Sequence, residues 1–91
     1  MTFVIGVRVR VSEGHYWASG ATGTVAAWPS FAAELGHGTL IDETVKLVPT
    51  RSGSMRTLWI IFDEPQFDVD GDGPYAEAEI PASALVVWTQ Q

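Results

Sequence analysis

The sequence predicts an all-β domain, a small and strongly bent barrel of five or six short strands, and three observations carry that expectation. Apolar residues alternate with period two through the opening segment, Phe3 to Val11, as in a strand with one face buried. A central run, Leu58-Trp59-Ile60-Ile61-Phe62, is apolar at every position, which fits a strand covered on both faces. Clusters of Gly, Pro, Asp and Ser then break the chain at intervals too short for long helices. Ninety-one residues are room for one domain, since domains run from roughly 50 to 250 residues. The domain is therefore expected to span residues 1–91.

In the first strand Phe3, Ile5, Val7, Val9 and Val11 share one side, with Arg8 and Arg10 on the other facing water. Ser12 to Gly23 carries several glycines and the triplet His15-Tyr16-Trp17, and reads as a long early loop with aromatics at its tip. Thr24 to Trp28 is a short strand ended by Pro29. Ser30 caps a brief helical turn through Leu35 that Gly36 stops. Thr44 to Pro49 and Thr57 to Phe62 form a hairpin across Arg51-Ser52-Gly53-Ser54. Asp63 to Pro74 is a polar loop, and Tyr75 to Ile80 is a strand with Tyr75, Glu77 and Glu79 on a wet side. Pro81-Ala82-Ser83-Ala84 gives one turn of 3₁₀ helix before a last strand, Leu85 to Trp88.

This order of elements resembles the SH3-like barrels. The resemblance is carried by Gly6-Val7-Arg8-Val9, by Gly20-Ala21-Thr22-Gly23-Thr24-Val25, by Trp59-Ile60-Ile61-Phe62-Asp63, and by Ile80-Pro81-Ala82-Ser83-Ala84-Leu85. Residues 29–57 exceed the plain pattern and form an insertion in the middle of the barrel. Such barrels host peptide binders, nucleic-acid binders and enzyme subunits, so the resemblance implies a fold and no single activity.

Composition narrows the function classes. With 46% hydrophobic and 18% charged residues, the chain is too apolar for intrinsic disorder. It has no cysteine, which excludes disulfides, thiolate metal sites and a cysteine nucleophile. The net charge is −6, and it is unevenly placed. Residues 57–91 hold Asp63, Glu64, Asp68, Asp70, Asp72, Glu77 and Glu79 with no Lys or Arg. Nucleic acid needs the opposite sign, so it is not expected as a partner, whereas a basic protein is. Apolar runs are far shorter than a membrane span, and no basic leader precedes the first strand. The expectation is a cytoplasmic protein of bacterial type, with homo-oligomers compatible with its exposed strand edges.

Asp68-Val69-Asp70-Gly71-Asp72-Gly73, with Glu79 six residues on, satisfies the formula of a calcium loop. Its candidate ligands are Asp68, Asp70, Asp72 and Glu79, with Asp63 or Glu64 at the loop's other neck. Two features oppose the full set. Strands flank the loop where helices belong, and an extended Tyr75 to Ile80 carries Glu79 about 13 Å beyond Tyr75, against ligand distances of about 2.3 to 2.6 Å. The alternative is an acidic turn whose Asp-Gly pairs supply only loop geometry.

His15, Tyr16 and Trp17 are candidate binding residues because strand alternation does not explain large aromatics in a glycine-bounded loop, and exposed Tyr and Trp mark recognition surfaces. In the peptide-binding relatives that the barrel resembles, aromatics of the loop after the first strand form a groove for extended proline-rich peptides. The competing role for Trp17 is to plug an open end of the barrel. Trp28 is a further binding candidate at the surface, and Trp59 belongs in the core. No catalytic residue is assigned: the serines lack a nucleophile motif, and His15 and His37 stand alone among glycines. The leading expectation is a non-catalytic protein-binding module without a cofactor. A calcium-binding module and a small enzyme, or subunit of an oligomeric enzyme, are the alternatives.

Overall fold

The computed structural model describes residues 3–13, 17–33 and 38–88. The chain is mostly strand: β1 (Arg8–Val11), β2 (Thr22–Ala26), a single helical turn α1 (Ser30–Ala33), β3 (Thr39–Leu40), β4 (Val45–Thr50), β5 (Gly53–Gln66), β6 (Tyr75–Pro81), a 3₁₀ turn (Ala82–Ala84) and β7 (Leu85–Val87). All ladders are antiparallel. The sheet runs β3-β4-β5-β2-β1-β7, with β6 on the other edge of β5. It is an open sheet: among the described residues β6 pairs only with β5, and β7 only with β1.

The spine is β5, fourteen residues long. One of its edges carries β6. The other carries β4 from Gly53 to Leu58 and then β2 from Trp59 to Phe62. Two partners in succession along one edge require the strand to bend, and the bend gathers Val9, Val11, Val25, Leu58, Ile60, Phe62, Ile80 and Leu85 into one core. Fully burying such side chains is worth about 1.5 to 3 kcal/mol each. The opposite face of β5 has its own smaller cluster, in which Trp28 and Ala32 cover Trp59.

Several expectations are corrected by this architecture. Among the described residues there are seven strands rather than five or six, because the insertion also contributes the two-residue β3, which pairs with β4. The opening strand begins only at Arg8. Gly6 has φ of +95°, outside strand geometry, and Val7 N donates back to Val4 O at 3.1 Å, so the alternation of Phe3, Val4 and Ile5 is not that of a strand. Strand β2 starts two residues earlier than Thr24 and ends before Trp28. β5 runs on to Gln66, with a break in its pairing to β6 between Ile61 and Gln66, and this shortens the polar loop. No helix among the described residues is long and apolar enough to cross a membrane.

Candidate functional site

Trp17 leaves the early loop and lies over the end of the core. Its ring meets Phe62 edge-on at 5.8 Å and Tyr75 at 6.0 Å between centroids. The loop from Phe67 to Pro74 folds up beside this aromatic pair. Asp68 organises that loop, because its Oδ1 accepts the backbone N–H groups of Asp70 and Asp72, both at 2.9 Å, as an aspartate does in an Asx turn. Asp68 N donates to Asp72 O, and Gly71 N donates to Asp68 O. Gly71 completes the turn at φ of +82°, a conformation that glycine adopts without penalty.

Between loop and strand lies a groove of about 340 Å³, lined by Trp17, Asp68, Val69, Asp70, Tyr75, Ala78 and Glu79. Its apolar surface is exposed: Val69 is 65% and Tyr75 41% accessible. Its potential is negative. The Tyr75 hydroxyl is pushed above the ordinary tyrosine pKa by loss of solvent and by the charges of Asp68 and Asp72, both of which disfavour a tyrosinate. Tyr75 is exposed but leaves the side of Glu77 and Glu79, where alternation places it, to meet the Trp17 ring. The break in β5–β6 pairing lets it turn toward Trp17.

Trp17 is half-buried, its inner side on the core and its ring at the groove. His15 and Tyr16 lie outside the described residues. Trp28 is corrected from a surface binding residue to a core one: it is 9% exposed, packs against Trp59 with the rings tilted and their centroids 5.3 Å apart, and donates its indole N–H to Thr44 O at 2.9 Å. Asp68, Asp70 and Asp72 do converge, each with a carboxylate oxygen within 4.8 Å of the others. Glu79 is not in that group. Its Oε2 accepts the Thr57 hydroxyl, so the last ligand of the calcium formula is engaged elsewhere.

The second face of the sheet holds a polar network that sequence reasoning missed. Arg8 reaches Thr24 Oγ1 at 2.9 Å and both oxygens of Asp63, the first at 2.7 Å. Thr22 Oγ1 donates to Asp63 at 2.6 Å, and the Arg8 guanidinium lies 5.1 Å from the centre of the Trp88 ring. Further along, Trp59 Nε1 donates to Glu77 Oε1 at 2.9 Å. Lys46 is 1% exposed; its ammonium donates to Ala32 O at 3.2 Å and lies 5.1 Å from the Trp28 ring centre. The signal was present in β5 itself, where Thr57 and Trp59 alternate with Leu58 and Ile60. An all-apolar run hid the fact that its two faces have different partners.

Compared with protein-family models, curated proteins and solved structures, the chain matches none of them. Its functional reading therefore rests on the groove and its chemistry.

Proposed function

We propose that this chain is a non-catalytic protein-interaction module, SH3-like in build, that receives a basic segment of a partner protein in the groove between Trp17, Tyr75 and the Asp68–Asp72 loop. One observation carries the reading. Two segments singled out separately in the sequence, the aromatic loop and the acidic loop, meet at one concave surface. Aromatic side chains give contact area at low entropy cost, and a cation can stack on them while the carboxylates neutralise it. The acids of residues 57–91 steer a basic partner toward this side.

The test is an array of short lysine- and arginine-bearing peptides probed with the wild type and with Tyr75→Ala. The wild type is expected to retain a subset of basic peptides at 0.01 M salt and less at 0.15 M, as the Debye length falls from about 30 Å to about 8 Å. Tyr75→Ala should lose them with its circular dichroism unchanged. Equal retention by both proteins sinks the reading, as does retention on DNA that disappears when Arg8 and Arg10 become Ala.

A second reading, calcium binding by the loop, is favoured by the convergence of Asp68, Asp70 and Asp72. It requires millimolar calcium to raise the melting temperature by mass action and Asp70→Ala to abolish the rise.

A further inference from the structure

The groove has a feature that side-chain recognition alone does not use. Ala78 and Glu79 are neighbours in β6, and strand geometry sends successive side chains to opposite faces. Ala78 packs on the main core, while the Glu79 carboxylate is on the other face with Thr57. Both residues nevertheless line the same groove. A concavity lined by two consecutive residues of a strand lies against the backbone of that strand and reaches its edge. The edge in question is the one turned away from β5, and among the described residues no strand pairs with it.

Resting on the proposed interaction role, we infer that β6 is a strand acceptor: an extended basic segment of a partner protein adds to its free edge as a further strand. The seven residues of β6 offer about 23 Å of edge at about 3.3 Å per residue, whose main-chain N–H and C=O groups bond the incoming strand. Strand addition draws affinity from these bonds and specificity from pockets for alternate side chains. Trp17, Val69 and Tyr75 provide an apolar pocket at one end, and Asp68 and Asp70 lie beside it for a Lys or Arg. Charge decides the occupant. A second copy of this chain would set its Glu77 and Glu79 against the same residues, and like charges facing each other across strands are destabilising. A basic segment reverses that sign.

The experiment uses the full chain and four peptides of about ten residues each, the first a capped alternating Arg-Val sequence. The second and third carry backbone N-methyl groups on the arginines alone or on the valines alone, and the fourth is an arginine-containing proline-rich peptide of equal charge. In a paired strand only every second residue turns its N–H toward the acceptor. One methylated peptide should therefore lose at least about tenfold in affinity, the equivalent of one or two lost hydrogen bonds. The other should stay within about twofold of the parent, the proline-rich peptide should bind poorly, and hydrogen exchange of β6 amides should slow on binding. If both methylated peptides and the proline-rich one bind like the parent, with resonance shifts at Tyr75 and Asp70, strand addition is overturned while the interaction role stands. If none of the four binds at millimolar concentration, both fail.

Discussion

Arg8 grips both carboxylate oxygens of Asp63 across fifty-five positions of sequence, and so ties β1 to β5 although β2 lies between them in the sheet. The bridge spans the neighbouring strand. Thr22 and Thr24 of that strand supply two of the contacts, one to each partner, so three strands are joined on the face away from the main core. The pair is 39% exposed on each side, and solvent screening keeps its contribution small. Its signature is in titration.

The Asp63 carboxyl is held well below the usual carboxylate range, at about 2, chiefly by the hydrogen bonds from Arg8 and then Thr22. A depressed folded-state pKa contributes stability that is fully present above the unfolded value and lost as pH falls through the folded one. The window is therefore from about pH 4 down to about pH 2. In urea melts, Asp63→Asn should be less stable than the wild type by a constant amount at neutral pH. That difference should shrink below pH 4 and vanish near pH 2. A carboxyl carbon resonance of Asp63 titrating near its ordinary value would show that the pair does not hold in solution.

Tyr75 supplies an independent reading of the groove's field. Its hydroxyl is raised by loss of solvent and by Asp68 and Asp72, so removing those charges must lower its pKa. In a Tyr16→Phe background, where Tyr75 is the sole tyrosine, ultraviolet titration should place it above 10. Asp68→Asn with Asp72→Asn should bring it down, and Asn at 68 keeps the side-chain oxygen that organises the loop. No change in the double variant means that the carboxylates do not face the ring.

How far these features were readable from sequence depends on whether local or distant residues set them. The strands β4, β5 and β6 and the 3₁₀ turn follow from β-branched runs and nearby turn residues, and they lie within a few residues of the expected places. Alternation alone overextends the opening strand, because Gly6 in a positive-φ conformation interrupts a perfect pattern and period two carries no information about φ. Strand periodicity misplaces Trp28 because α1 packs on the second face of the sheet, a tertiary event that it does not register. The groove was half legible. Trp17 and the Asp68–Asp72 loop each stood out, but their meeting depends on the irregular pairing between Ile61 and Gln66.

The second face makes a prediction about Trp59. Its indole N–H is paired with Glu77, and its ring with Trp28 and Phe31 at 5.3 and 5.9 Å. Glu77→Gln keeps an acceptor and should be tolerated. Glu77→Leu removes it and should cost about 1 to 3 kcal/mol if the N–H is left without a partner. Trp59→Ala should cost about 3 to 5 kcal/mol through the cavity and lost burial. Chemical denaturation of the three variants checks the order; a Glu77→Leu protein as stable as Glu77→Gln would mean that water replaces the carboxylate at no cost.

Gly23 holds β2 against the bent spine with no room for a side chain. It pairs with Phe62, and a β-carbon added to it would come within 2.5 Å of Ile61 O and 2.8 Å of Ile60 Cγ2. The first of these atoms is backbone, held in the β5 ladder, and cannot rotate away. The glycine's φ is not in the left-handed region, so crowding rather than torsional strain is the cause. Gly23→Ala must therefore push β2 away from β5, and overpacking of this kind costs about 1 to 3 kcal/mol or more. For a domain of this size, each kcal/mol lowers the melting temperature by roughly 4 to 8 °C. Gly53 offers the contrast, with open space around its β-carbon position but φ of +142°. There Ala is opposed by backbone strain alone, at a hairpin turn far from the core. Gly23→Ala should lose protection from hydrogen exchange across β2 and the Trp59 to Phe62 segment, whereas Gly53→Ala should loosen only the β4-β5 turn. Equal exchange patterns in the two variants would refute the close crossing as the reason for glycine at position 23.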